Sequence, residues 1–426
     1  MPNVLERQQD ILSIISELDI SPTMYSNAVE KYKAITAYLE SYGIEAEMYP
    51  QGSFAFGTVV RPTSKSADAN YDLDFICQIK GDRSSHTPSE LRKILLDALK
   101  ASGIYEGKLE IWDECFTIEY ADVGKIGFTI DIVPATDESE EKKQSLLAKS
   151  SYPNLINTAV AIPKHNGNHN YTWITNNPRG FRQWFDEINK PFLEAGRNNY
   201  RNELFKRHSR FYASVEEIPH ALDRSALQRV IQLLKYHRNV YYDKLPGGDD
   251  IKPISAIINV LVTEISKAYN PECSVFELLE YVLKELEIYA QHLAKNQKEF
   301  VALYGARNVI SHNNGVWYIA NPANPEDNLA NKWNENPPIP KTFFMWIKVV
   351  TSDLIDSLQQ DYLMRYIATK PYRGHFKCPC GSQKHLRDCH GKYVIAYYNN
   401  FDAYEFLKQD LSLIEYTLYK VRKGKE

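Results

Sequence analysis

The sequence predicts an α+β protein, and three observations carry that expectation. Strand-like segments with alternating or β-branched residues, YDLDFICQI, LEIWDECFTIEYA and IGFTIDIVPA, cluster before residue 135; helical periodicity dominates from about Arg179 onward; and three of the six cysteines crowd into a short C-terminal stretch. The predicted architecture is a sheet preceded by a long N-terminal helix, followed by a mainly helical lobe and a small C-terminal knuckle. The corresponding divisions are 1–190, 191–370 and 371–426.

Each element has a local cause. In MYSNAVEKYKAITAYLESYG, Ala28, Tyr32, Ile35, Tyr38 and Leu39 recur at helical spacing and Gly43 supplies a stop. A second helix is predicted from Ser89 to Ser102, with Leu91, Ile94, Leu95, Ala98 and Leu99 on one face. A third begins after Ser53, in FAFGTVV. Beyond Pro134 the charged run DESEEKKQS and the loop-like PKHNGNHN lead into the helices, which LPGGDD and NENPPIPK divide into shorter units. No internal repeat or low-complexity segment interrupts this order.

Composition narrows the classes of function. Fifty basic against fifty-four acidic side chains leave a formal charge of -4, so constitutive wrapping of nucleic acid is not indicated. The densest basic stretch, RNNYRNELFKRHSR from Arg197 to Arg210, reads as a solvated helix face. The N-terminus lacks an uninterrupted apolar region, and no apolar run approaches the ~20 residues of a membrane span, so a cytoplasmic location with no membrane partner is expected. Cys77, Cys115 and Cys273, scattered among apolar neighbours, read as buried free thiols.

The chemistry concentrates at 51–79. In a strand, Asp72 and Asp74 project from one face while Leu73 and Phe75 enter the other. Two carboxylates that close repel unless divalent cations lie between them, as in two-metal phosphoryl or nucleotidyl transfer. Asp131, flanked by Ile130 and Ile132, is the candidate third carboxylate from a neighbouring strand. Upstream, Gly52 and Ser53 open a turn whose backbone amides and hydroxyl suit a triphosphate, with glycine permitting close approach.

A Gly-Ser turn, a D-x-D strand and a later single Asp resemble the polymerase-β-like nucleotidyltransferases. WITNNPRGFRQWF (173–185), LQRVIQLLKYHRNVYY (227–242) and NPANPEDNLANKW (321–333) narrow the resemblance to the CD-NTases, bacterial cyclic-oligonucleotide synthases related to cyclic GMP-AMP synthase, across roughly residues 20 to 340. The resemblance implies a template-independent enzyme that uses ATP- or GTP-type substrates and two Mg²⁺ or Mn²⁺ ions held by Asp72, Asp74 and Asp131. Its product would be a cyclic di- or trinucleotide second messenger that acts on an effector in CBASS antiphage defence, with a regulatory protein as a further partner.

The helix 227–242 carries Lys235 and Arg238 in or beside an apolar stripe. The resemblance assigns Lys235 to a nucleotide phosphate and Ser255 to a second phosphate contact; Arg224 and Arg238 are read as structural. Asn321, Asn324 and Asn328 read as turn-closing residues rather than base readers.

CPCGSQKHLRDCHG offers Cys378, Cys380, Cys389 and His390, a soft donor set suited to tetrahedral Zn²⁺ with no open position, hence a structural site; His385 competes as a ligand. The stretch resembles the SEC-C zinc motif, with Gln383 where that motif often has Gly. Two other functions fit the residues: a transferase that makes linear oligonucleotides or tags RNA or protein, and a zinc-knuckle binding protein with an inactive transferase core.

Overall fold

The computed structural model describes residues 14–15, 18–20, 22–60, 71–123, 126–167, 170–212 and 224–356. Cys378, Cys380, Cys389 and His390 therefore lie outside the described residues, as do the side chains of Asp72 and of the basic stretch 197–210.

Helix α1 (Pro22–Ser41) buries Ala28, Ile35 and Leu39 at the expected spacing. Strand β1 (Ala46–Pro50) follows, then α2 (Gly52–Phe56) and β2 (Tyr71–Asp82). The helix expected through FAFGTVV stops after one turn because Gly57 adopts a left-handed φ of 64°. Helix α3 (Pro88–Ala101) starts a residue early: Thr87, not Ser89, caps it, through a reciprocal box with Glu90 that places Pro88 at the first helical position.

Strands β3 (Leu109–Ile111), β4 (Phe116–Val123) and β5 (Ile126–Asp137) continue the sheet, in the order β1-β2-β5-β4-β3. Pairing is antiparallel except between β2 and β5, which run parallel. One sheet face is a closed core. Leu73, Phe75, Ile130 and Ile132 are fully buried there with Leu91, Leu95, Ala98 and Leu99 of α3 and the apolar stripe of α1. Each such large side chain contributes ~2 kcal/mol by leaving water. The alternation that buries these residues turns Asp74 and Asp131 to the other face.

The stretch PKHNGNHN, expected to be loop-like, gives only Pro163, Lys164 and His165 to a strand: after α4 (Glu140–Leu147) the chain forms an antiparallel pair, β6 (Val160–His165) and β7 (Tyr171–Asn176), joined to the end of β5. Its inward residues, Val160, Ala161 and Ile162, were overshadowed in the sequence by the polar turn that follows. Helix α5 (Pro178–Tyr212) starts at an Asn177 cap: its Oδ1 accepts from the Gly180 amide at 3.0 Å, and its Nδ2 donates to the carbonyls of Leu155 and Ala323. A Cβ at Gly180 would sit 2.5 Å from that amide, so this glycine is required by close approach. The division expected at 190 falls inside α5, which continues through Pro191.

The helical lobe comprises α6 (Ala226–Tyr242), α7 (Ser255–Ser266), α8 (Val275–Tyr289), α9 (Gln297–Tyr304) and α10 (Pro338–Thr351). Its core is aromatic, with Trp184, Tyr242, Phe276, Phe300, Trp333, Phe343 and Trp346 each at most 2 % exposed. Two small hairpins interrupt it, β8 (Ser311–Asn313) with β9 (Val316–Tyr318), and β10 (Ala320–Asn321) with β11 (Asn324–Asn328). The first turns on Asn314 and Gly315, whose φ angles of 51° and 79° suit a two-residue hairpin.

Candidate active site

The polar side of the sheet places Asp74 on β2 directly beside Asp131 on β5, Cα partners in the parallel register. Asp72 occupies the register position opposite Thr129, two residues before Asp74 on the same strand face. Asp131 is oriented from the adjacent strand, where Thr117 Oγ1 donates to its Oδ1 at 2.5 Å. Thr117 is itself the Cα partner of Asp131 and is 6 % exposed.

The Ser53 turn is fastened to this pair. The Gln51 amide donates to the Asp74 carbonyl at 2.8 Å, and Gly52 has φ 58°. A Cβ at position 52 would collide with Asp74 Oδ2, so glycine is needed both for its backbone conformation and for the approach of that carboxylate. At the far end of the turn, the Thr58 amide donates to the Ser53 carbonyl at 2.9 Å.

Lys235 reaches the same region from α6. It is 6 % exposed, and its Nζ donates to the Thr58 carbonyl at 3.1 Å. Burial pushes its ammonium down to about 7, the nearby Arg238 adds to that, and Asp74 opposes it. One turn farther, Arg238 donates to the Pro253 carbonyl at 2.9 Å and to Ser255 Oγ at 3.2 Å; burial lowers it to about 10. Ser255, at the first position of α7, is thus tied to Arg238.

Gly52, Ser53, Asp74, Asp131 and Lys235 are therefore brought together in one region at the polar side of the sheet. Arg238 has the structural bonds expected of it. So do the loop asparagines: Asn324 Nδ2 donates to the Thr175 carbonyl, Asn328 Nδ2 to the Trp317 carbonyl, and Asn321 Nδ2 to Asp327. Sequence reading missed Thr117, whose signal is visible only in strand register, and Gln228 and Gln232, polar residues on the buried side of α6. Cys115 is only partly buried, and its thiol is pushed up to about 11 by burial and by Asp131 and Asp74, which places it near the acidic pair.

Hard carboxylate oxygens converging beside a glycine-serine turn suit Mg²⁺ or Mn²⁺ rather than a soft metal. Among the described residues, no group of three or more His, Cys, Asp or Glu stands together in a ligating arrangement; the Asp72 side chain falls outside them.

A mixed sheet with an Asp pair in register, a Gly-Ser turn against it and a helix of the second lobe bonded to that turn is the arrangement expected of a nucleotidyltransferase, and similarity to known proteins supports that class. Residues 6–189 match the Second Messenger Oligonucleotide or Dinucleotide Synthetase (SMODS) domain. The chain is also similar to bacterial cyclic-dinucleotide synthases. It is 25% identical over 356 residues to a c-di-GMP synthase of Roseivirga ehrenbergii, covering 81% of this chain and 78% of that protein. It is 26% identical over 246 residues to the cyclic dinucleotide synthase CdnG of Bradyrhizobium diazoefficiens, covering 54% of this chain and 53% of that one. The fold superimposes on the structure of the B. diazoefficiens CD-NTase CdnG in complex with GTP with a TM-score of 0.57 at 20% identity, over 85% of this chain and 95% of that one. It also superimposes on Escherichia coli MS115-1 CdnC in a complex with HORMA, with a TM-score of 0.53 at 13% identity, over 85% and 95%.

Proposed function

We propose that this enzyme condenses ATP- or GTP-type nucleotides, without a template, into a cyclic di- or trinucleotide that serves as a second messenger in CBASS antiphage signalling. The observation that carries this reading is the in-register Asp74–Asp131 pair with the Ser53 turn closed against Asp74.

Asp72, Asp74 and Asp131 would hold two divalent ions, which when bound spread the charge of the reacting phosphates and acidify the attacking hydroxyl. The chain's own residues do the rest. The amides and hydroxyl of the Gly52–Ser53 turn hold the triphosphate, and Lys235 and Ser255 supply further phosphate contacts. Asp131, held by Thr117, takes the proton of the ribose hydroxyl as that oxygen bonds to the α-phosphorus. The bond from that phosphorus to the β-phosphate bridging oxygen breaks, and pyrophosphate leaves. Repeating the step within the linear intermediate closes the ring.

The product acts on a downstream effector, and a regulatory protein is a second route of control, as CdnC is solved with HORMA. The set Cys378, Cys380, Cys389 and His390 holds a structural Zn²⁺.

Purified protein incubated with labelled nucleoside triphosphates and Mg²⁺ or Mn²⁺ tests the reading. A phosphatase-resistant product is expected, absent from the Asp74→Asn variant. Phosphatase-sensitive products alone would establish a linear transferase instead, and no product from any nucleotide pair, with or without a protein partner, would overturn the enzymatic reading.

A further inference from the structure

Helix α6 touches the Ser53 turn through more than Lys235. Gln228 Nε2 donates to the Phe56 carbonyl and Gln232 Nε2 to the Val59 carbonyl, both at 2.7 Å, while Lys235 takes the Thr58 carbonyl between them. Positions 228, 232 and 235 share one helix face. Each amide is oriented by a second bond: Gln228 Oε1 accepts from the Ser225 amide at 2.9 Å, and Gln232 Oε1 accepts from Arg229 Nη1 at 2.9 Å. Both are buried, at 7 % and 1 % exposure. A buried amide costs free energy unless its donors and acceptor are satisfied, and an apolar side chain would fill the same space without that requirement. What the amides add is a specified backbone path.

We propose that Gln228 and Gln232 are positioning residues that hold the Ser53 turn, from the helical lobe, in the geometry that receives the triphosphate of the nucleotide substrate. The inference rests on the nucleotidyltransferase reading of this site. Gly57 is the hinge they restrain: its φ is 64°, and a Cβ there would lie 2.7 Å from Gln228 Nε2. The restraint reaches Ser53 through the Thr58 amide, while the opposite end of the turn is fixed to β2 beside Asp74 by the Gln51 amide. The same helix carries Lys235, so one set of bonds determines where turn, carboxylate and ammonium stand relative to each other.

The test compares wild type with Gln228→Met and Gln232→Met, which keep side-chain length and remove the donor. Titrating α,β-methylene analogues of ATP and GTP with Mg²⁺ should show Kd raised about tenfold in each variant, the loss of one satisfied hydrogen bond. At saturating nucleotide, kcat should stay within about threefold of wild type, because the groups at the reacting phosphorus are untouched. Unchanged Kd with only a lower melting temperature would overturn the proposal, as would a lower kcat at unchanged Kd. Amide hydrogen exchange of nucleotide-free wild type gives a readout independent of any variant. Protection across 53–59 is expected before nucleotide is added, and free exchange there would overturn a preformed clamp. Wild type that makes no oligonucleotide would refute the proposed function itself; active wild type with unaffected variants would refute only the clamp.

Discussion

Lys235 bears the strongest electrostatic constraint among the basic groups of the site. Its native value of about 7 lies below the 10.5 of an unperturbed lysine. Between those values the unfolded chain carries a proton that the native chain lacks, so stability rises with pH across that window and the cost of charging the buried ammonium is greatest below pH 7. A triphosphate placed beside Lys235 favours the ammonium. At pH 8, nucleotide binding is therefore expected to take up a proton, seen as a binding enthalpy that differs between buffers of unlike ionisation enthalpy. Lys235→Met should abolish the difference; equal enthalpies in wild type would remove Lys235 from the phosphate site. Asp131→Asn and Asp74→Asn should each lower product formation by at least ~10³-fold with little change in melting temperature, since these carboxylates lie on the polar face and not in the core. Thr117→Val should lower kcat less, by ~10-fold, with Thr117→Ser restoring it.

At the scale of the element, capping decides where helices begin. The box Thr87–Glu90 starts α3, and Ser225–Gln228 starts α6. Thr87→Ala is expected to destabilise the protein by ~1 kcal/mol, read from denaturant unfolding, without altering nucleotide affinity. The Ser225 box does more, because the Gln228 amide that completes it also grips the Phe56 carbonyl. Hairpin β10–β11 has an analogous anchoring role: Glu326 on it pairs with Lys142 and Lys149, each at 2.6 Å, so the loop asparagines and α4 form one unit.

At the scale of the whole molecule, partly buried polar bonds tie the segment after α4 to helices α5 and α7. Tyr152 and Trp184 both donate to Glu264 Oε1 at 3.1 Å, and Lys267 bonds Tyr152 and Glu264 in turn. Within the helical lobe, His292 is 1 % exposed and stacks on Phe300 with ring centroids 3.7 Å apart, beside Trp317 and His312. Burial, helped by His312, holds it at about 4, below the 6.5 of a free imidazole. As pH falls from 6.5 toward 4 the unfolded chain gains a proton that the native chain refuses, so stability is lost there, by up to about 3 kcal/mol. Melting curves across that range should show the loss, and His292→Phe should flatten it. The zinc set proposed for Cys378, Cys380, Cys389 and His390 is tested on the whole protein: purified protein should carry about one equivalent of zinc, absent after Cys378→Ser with Cys380→Ser, while nucleotide binding persists.

Local patterns alone determined much of this protein. Alternation around Asp72, Asp74 and Asp131 marked the strands and their polar face, helical spacing marked α1, α3 and α6, and the Gly-Ser turn beside the carboxylates pointed to phosphate chemistry. Those features are short-range consequences of side-chain period and backbone preference, so they are written in consecutive residues. The hairpins β6–β7 and β8–β9 were harder to read because their strands are short and their turns polar, although Asn314–Gly315 is a hairpin signature in plain sight. Tertiary structure alone decided which residues meet: that Thr117 faces Asp131 across a strand pair, that Gly52 yields space to a carboxylate on β2, and that Gln228, Gln232 and Lys235 close on three carbonyls more than 170 residues away in sequence. Such contacts depend on strand register and on how a distant helix is seated, which no local pattern encodes.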